Sequence, residues 1–386
     1  MVTATVGTAP STGASASTDE QAELRTVTRR FLAERSPSGS VRRWMDSAQG
    51  HDPALWRQLT GQLGLAGVAV PERFGGAGGG PVELGIVLEE MGRALVPSPF
   101  FATAALAGQA LTASGDGASW LPAVAAGSLT ATLAVAEGSG SWRPADIATV
   151  ASPSGDGWSL SGTKMFVVDG DSAALLLVVA RTDTGPALFA VTGDTGVQRT
   201  RLDALDPTRR LARIDLDGVP AVRIGSDDDA APLLRQVLDL AVVALAAEQV
   251  GGAQACLRSA VDHAQVREQF GRPIGAFQAI KHRCADLLVE VEAARSAVAY
   301  AASVATDPAE RPVAAALAAA YCSRAYTHVA KENIQIHGGV GYTWEHDAHL
   351  HLKRAKSSEL LFGAPTTHRA RLADLVGIGS GAEEDR

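Results

Sequence analysis

A chain of 386 residues that is 46% hydrophobic and 20% charged has material for a sizeable buried core, which excludes a disordered or fibrous polymer. A formal net charge of −8, with basic residues scattered rather than striped, offers nothing to a polyanion, so no nucleic-acid partner is expected. Three widely spaced cysteines, Cys256, Cys284 and Cys322, lie in Ala-rich helical patterns and make neither a disulfide framework nor a metal set, which fits a reducing cytoplasm.

Residues 1–18 are small and polar, without a basic start or an apolar core, and read as a disordered tail rather than a targeting signal. Ser17-Thr-Asp-Glu then predicts a capping box ahead of Leu24, Val27, Phe31 and Leu32, which share one helical face. Further helices are predicted over Pro53–Leu65 and, after the glycine-rich loop Glu72–Gly80, through Leu84, Val87, Leu88 and Met91. From about Gly127 to Ile224 the period changes to short alternating or continuous apolar runs bounded by Gly, Asp and Ser, which is strand grammar. Helical spacing returns from Ala231 to Leu375, with Ile280, Cys284, Leu287, Val291 and Val298 three, four or seven apart. The most apolar run, Val237–Leu257, is interrupted by Asp239, Glu248, Gln249 and two glycines, and no membrane span is expected. The expected organisation is α+β: a helical domain over 19–126, a β domain over 127–225, a helical bundle over 226–376 and a loose tail over 377–386.

Two segments carry the chemistry. REQFGRPIGAFQAIKH, Arg267–His282, reads locally as a charged turn between two helices, and QIHGGVGY, Gln335–Tyr342, as a glycine bend that is not a P-loop. Together, in this order and about 50 residues apart, they resemble the C-terminal half of the acyl-CoA dehydrogenases, as does GTKMFVVDG at Gly162–Gly170. The resemblance implies a three-part fold of N-terminal helices, a central β-barrel or sandwich, and a C-terminal four-helix bundle. It implies FAD as cofactor, with the charged turn Arg267, Glu268, Gln269 and Phe270 at the FAD of a neighbouring subunit, Phe277 and Gln278 as another flavin-contacting pair, and Gln335, Gly338 and Gly339 in the loop at the dinucleotide. Phe166, Val167 and Val168 match a strand that lies against the flavin ring. Guanidinium and glycine N–H groups suit a pyrophosphate, and an apolar wall suits hydride transfer. The β-domain opening AVAEGSGSW keeps Glu137 and Ser141 but has Ala136 where the family has threonine and Trp142 where it has aspartate.

The family's reaction is α,β-dehydrogenation of an acyl-CoA or other acyl thioester: a carboxylate removes the α proton while hydride passes from Cβ to flavin N5, and electrons go on to an electron-transfer flavoprotein. General-base help is worth about 10²–10⁴-fold. The position where most members carry the glutamate holds Phe362, and the position used by a minority holds Ala241. Glu248, two turns along the same helix, is a weak candidate base and is expected to be a structural carboxylate instead, because proton transfer does not tolerate that displacement. Related subunits that lack the base assemble with a sister chain that has it. The resemblance therefore leaves an autonomous dehydrogenase, a non-catalytic FAD-sharing partner subunit, and an oxidase or biosynthetic enzyme on the same fold, as homo- or hetero-oligomeric dimers or tetramers.

His346, His349 and His351 splay over different helix faces and are not expected to bind metal. Lys353, Arg354 and Lys356 are expected to form a solvated face, with CoA phosphates as a lesser possibility, Glu89, Glu90 and Arg93 a helix-surface charge group, and His282 a packed or capping residue.

Overall fold

The computed structural model describes residues 18–226 and 230–378. Its first helix, α1 (Asp19–Arg35), carries a capping box one residue later than expected: Thr18 Oγ1 accepts from Gln21 N at 3.2 Å and Gln21 Oε1 accepts from Thr18 N at 3.1 Å. Ser17 and the expected tails, 1–18 and 377–386, lie wholly or largely outside the described residues. An unanticipated helix, α2 (Ser38–Met45), precedes α3 (Pro53–Gly61), which Asp52 caps. α3 stops short of Leu65 because Gly64 turns left-handed, with φ 65°, into a 3₁₀ turn at Leu65–Gly67. α4 (Pro81–Arg93) follows the glycine loop, with Glu83 bonded back to Gly80 N at 2.8 Å. A wholly buried π-helical stretch, Phe101–Gly108, then leads into α5 (Gln109–Ser114) and α6 (Leu121–Ala125).

Seven strands follow: β1 (Ala131–Ala134), β2 (Val150–Ser154), β3 (Gly157–Val168), β4 (Leu175–Thr182), β5 (Gly185–Val191), β6 (Val197–Arg201) and β7 (Leu211–Ile224). Pairing runs β4–β2–β3–β7–β5 and back from β5 to β4, which closes a barrel; β1 adds to β4 and β6 to β7. The continuous apolar run of β4 is explained by burial on both faces. Leu176, Val178 and Ala180 join Leu160, Phe189 and Ile214 in the barrel interior, and Leu175, Leu177 and Val179 join the helical core.

The C-terminal part is built on α7 (Ala231–Val266), α8 (Gln278–Ser303) and α9 (Arg311–His337), with α10 (Ala348–Leu360) and α11 (Pro365–Leu375) packed on α9. A small hairpin, β8 (Glu268–Gln269) with β9 (Arg272–Pro273), joins α7 to α8. α7 is long and apolar enough to cross a membrane, but 83% of its most apolar window is buried, so it is a core helix. It crosses α4 through reciprocal backbone contacts. A Cβ on Gly251 would strike the Glu89 carbonyl, and one on Gly92 would strike the Glu248 carbonyl.

That seam predicts that Gly251→Ala destabilises the chain by about 1–3 kcal/mol through overpacking, although alanine is the better helix former. A urea midpoint equal to or above that of the parent would contradict it.

Candidate functional site

The barrel meets the bundle through a cluster of charges that water does not reach. The segment before β7 supplies Asp206, Thr208 and Arg209, the middle of α7 supplies Glu248, and α10 supplies Arg354. Arg209 donates to both Glu248 oxygens, Arg354 Nη1 donates to Glu248 Oε1 at 2.6 Å, and Arg354 Nε donates to Asp206 Oδ2 at 2.7 Å. Burial works against both guanidinium charges. Asp206 and Glu248 outweigh it at Arg354, whose pKa rises, whereas desolvation leaves that of Arg209 lowered. Glu248 has both oxygens held by arginine donors. Arg354 overturns its expectation: it is 4% exposed, not part of a solvated face. Lys353 lies over the Trp344 ring and Lys356 pairs with Glu359.

Phe362 is 6% exposed and backbone-strained at φ 64°. Its ring stacks on Phe101 at 6.2 Å and meets Trp142 edge-on at 4.7 Å. Ala241 is wholly buried within α7. The cavity beside this cluster, bordered by Phe100, Phe101, Val168, Arg209, Glu248 and Arg354, measures about 20 Å³. That is room for roughly one water. Asp169 also borders it, and burial, with Asp171 adding repulsion, pushes its carboxyl up to about 7 against the pull of three arginines. Nothing in its local sequence flagged it, since its shift comes from the buried junction.

The strand expected to meet a flavin ring divides its side chains. Val167 points into the barrel core, so only its backbone remains for a ligand, and Val168 faces the small cavity. Phe166, at φ 56° beside a bulge in β3, borders an outward apolar cleft of about 420 Å³ with Gly140, Trp142, Leu205, Lys356 and Leu360. Glu137 is fully used elsewhere: it accepts from Ala148 N, Thr149 N and Oγ1, and from Lys164 Nζ at 2.7 Å. Lys164 is buried, and desolvation brings its pKa down to about 8 despite that partner. Ser141 Oγ donates to Asp146 at 2.6 Å. The cleft's walls are mostly apolar, with Lys356 and Ser357 as side-chain donors on its rim, and Ala136, buried nearby, has no hydroxyl.

The other expected contacts sit at the far end of α7. Phe270 and Gly271 form the hairpin tip with φ 54° and 76°, the mirror-turn conformation that suits a two-residue hairpin. Phe270 is 92% exposed, edge-on to Phe277 at 6.1 Å, and Arg272 lies over Phe277. Arg267, Glu268, Gln269, Gln278, Gln335, Gly338 and Gly339 are all exposed, and the two glycines face open space. Turn and bend lie side by side, because Ile274, Cys284, Leu287 and Ile336 share one cluster and Arg283 meets Glu332 at 3.5 Å. This donor set, one guanidinium with amides and unobstructed backbone N–H groups, fits a pyrophosphate. At 1.5 Å per residue, Arg267 is about 28 Å along α7 from Glu248. The two sets of expected contacts therefore lie far apart within one chain.

The remaining titratable expectations divide. His282, expected to be packed or capping, is exposed near Gln278. Glu89 and Glu90 are buried among Arg25, Arg29, Arg93 and Arg295, correcting the surface reading. His346 stacks on His337, His349 meets Trp344, and His351 Nδ1 pairs with the Tyr326 hydroxyl at 3.0 Å, so the three rings turn to different neighbours.

Comparison with known proteins agrees with this architecture. Residues 18–128 match the acyl-CoA dehydrogenase N-terminal domain and residues 232–376 the acyl-CoA dehydrogenase C-terminal domain. The chain is 37% identical over 360 residues to acyl-CoA dehydrogenase IpdE2 of Mycobacterium tuberculosis, covering 93% of this chain and 98% of that one. Among solved structures, a variant of the Tcur3481–Tcur3483 steroid ACAD superposes with a TM-score of 0.83 at 34% identity, covering 94% and 98% of the two chains. The ChsE4–ChsE5 complex from Mycobacterium tuberculosis superposes with a TM-score of 0.85 at 29% identity, covering 93% and 98%.

Glu248→Ala leaves buried Arg209 without a carboxylate partner and Arg354 with Asp206 alone, and is expected to cost about 3–5 kcal/mol in urea unfolding; a loss under about 1 kcal/mol would contradict the clamp. Burial lowers His351 to about 4, below its unfolded-state value of 6.5. The unfolded chain therefore binds the extra proton between those pH values, and stability falls as pH drops from 6.5 to 4. His351→Gln, which keeps an acceptor but does not titrate, should flatten that part of the pH–stability curve.

Proposed function

The chain belongs to the acyl-CoA dehydrogenase family, FAD-using oxidoreductases that act on CH–CH bonds, and from that premise we propose that it serves as a flavin-sharing subunit of a hetero-oligomer whose sister chain carries the base. The observation that carries this reading is the clamp on Phe362 between Phe101 and Trp142. A ring that cannot accept a proton stands where the family's carboxylate is expected, and Glu248 is committed to two arginines.

Bound flavin would supply the hydride acceptor in the sister chain's pocket. This chain's part would be binding and orientation: Arg267 would neutralise pyrophosphate charge, the N–H groups of Gly338 and Gly339 would donate to it, and Phe270, Phe277, Gln278 and Gln335 would hold the rest of the dinucleotide. That the ChsE4–ChsE5 relative is a two-chain complex supports assembly with an unlike partner. The alternative of an autonomous dehydrogenase requires a base, and the described residues at the junction provide Asp169 only beside a one-water cavity.

Expressed alone, the chain is expected to purify with little flavin and to leave added FAD unbleached by acyl-CoA under anaerobic conditions. Co-expressed with its sister, it should yield a yellow complex in which Arg267→Ala on this chain weakens flavin binding by about tenfold or more, the loss expected when a charge-assisted contact is removed. Normal acyl-CoA turnover by the solitary chain would refute the assignment.

A further inference from the structure

The charges at the barrel–bundle junction balance until Asp169 is counted. Asp206 and Glu248 are held by Arg354 and Arg209, and Asp171 accepts from Arg210 Nη1 at 2.9 Å. On the neighbouring strand β6, Arg199 pairs with Asp194 at 3.2 Å and also donates to the carbonyl of Gly170, the residue after Asp169. Four guanidiniums thus meet four carboxylates. Asp169 is a further carboxyl, with no ion pair among the described residues.

The other elements packed here supply no compensating cation. Desolvation lowers His351 on α10 and His51 ahead of α3, so both are neutral at pH 7, and burial keeps the Tyr326 hydroxyl of α9 protonated. The N-terminal domain faces the adjoining cavity with Leu88, Met91, Val96, Ser98, Phe100 and Phe101, none of them charged. That cavity, of about 20 Å³, admits roughly one water, so solvent can do little for an added charge. Protonated, Asp169 leaves the cluster balanced; ionised, it leaves one negative charge in excess. Its backbone also ties the two sides of the barrel end together, because Asp169 N donates to the Arg210 carbonyl at 3.0 Å.

We propose that the junction is a proton-gated latch: with the Asp169 carboxyl protonated the barrel sits tightly on α7 and α10, and ionisation of that carboxyl loosens the docking. Asp169 is half-buried, so its proton exchanges with solvent without unfolding. Burial and the Asp171 charge bring its titration from the ordinary 3.8 up to about 7, which puts the latch at neutrality. The folded state therefore holds a proton that the unfolded chain has released, and stability declines as pH rises from 3.8 until the loss is complete above about 7. His351 contributes the opposite slope between 4 and 6.5, so a variant rather than the parent curve separates the two. β3 ends at Val168, and its Phe166 borders the outward cleft, so a looser junction reaches that cleft's wall.

Urea unfolding of the full chain between about pH 5 and pH 8, parent against Asp169→Asn, tests the latch. Asparagine keeps the shape and cannot ionise, so the variant should gain on the parent as pH rises, the ratio of their unfolding constants changing by about tenfold or more across that range. Asp183→Asn, on an exposed turn of the barrel, should differ from the parent by an amount that does not depend on pH. Hydrogen exchange of the parent reads the same event without a substitution. Between about pH 6 and pH 8 the Asp169 and Thr208 amides should lose protection beyond the intrinsic rise in exchange rate, while the Leu177 amide within β4 keeps it. A pH-independent difference between parent and Asp169→Asn, or equal loss of protection at junction and β4, would overturn the proposal. Flavin loading on co-expression reads the subunit assignment independently, so either idea can fail while the other stands.

Discussion

Two arginines and two carboxylates, closed off from water where the barrel meets α7 and α10, hold the rest of the molecule in register. Such a cluster adds little stability compared with an apolar junction of equal shape, but losing one member leaves a charge with nowhere to go. It therefore acts as a selector: a barrel docked a few ångströms away would strand Arg209 or Arg354 in a low-dielectric interior. The same choice has a chemical consequence. A carboxylate on the central helix, which might otherwise be free to meet a ligand, is spent on architecture, and the junction closes to a void the size of a water molecule.

The periodicity of the chain carried the architecture. β4 reads as an uninterrupted apolar run because both its faces are covered, and the helices read as three-and-four spacing because each has a covered stripe. Charged residues were misread wherever their partners are distant in sequence. Glu89 and Glu90 look like a solvated helix face until α1 brings Arg25 and Arg29 from more than sixty positions away. Arg354 sits between Lys353 and Lys356, which are half-exposed, and only Asp206 and Glu248 reveal its burial. The π-helical stretch was invisible for a different reason, because FATAALAG is small or apolar at all but Thr103 and has no polar face to give a period.

At the candidate site the turn and the bend were legible because their glycines and arginine are local features. Their distance from the β-domain residues was not, since it depends on the length and straightness of α7. The aromatic clamp had a signal that could have been used. Trp142 and Phe362 stand where the resemblance leads one to expect acids, and two large rings at such positions are what mutual packing would produce. A residue such as Asp169 gives no such warning, because what distinguishes it is the environment rather than the pattern around it.

The hairpin tip has a consequence beyond recognition. Phenylalanine in a left-handed turn costs about 1–3 kcal/mol, a strain that persists only when surrounding structure insists on it. Here the ring is also left almost entirely in water, against a single aromatic neighbour. A copy without a cover over that tip is both strained and adhesive, so the yield and solubility of this polypeptide become properties of how promptly it meets whatever shields the ring.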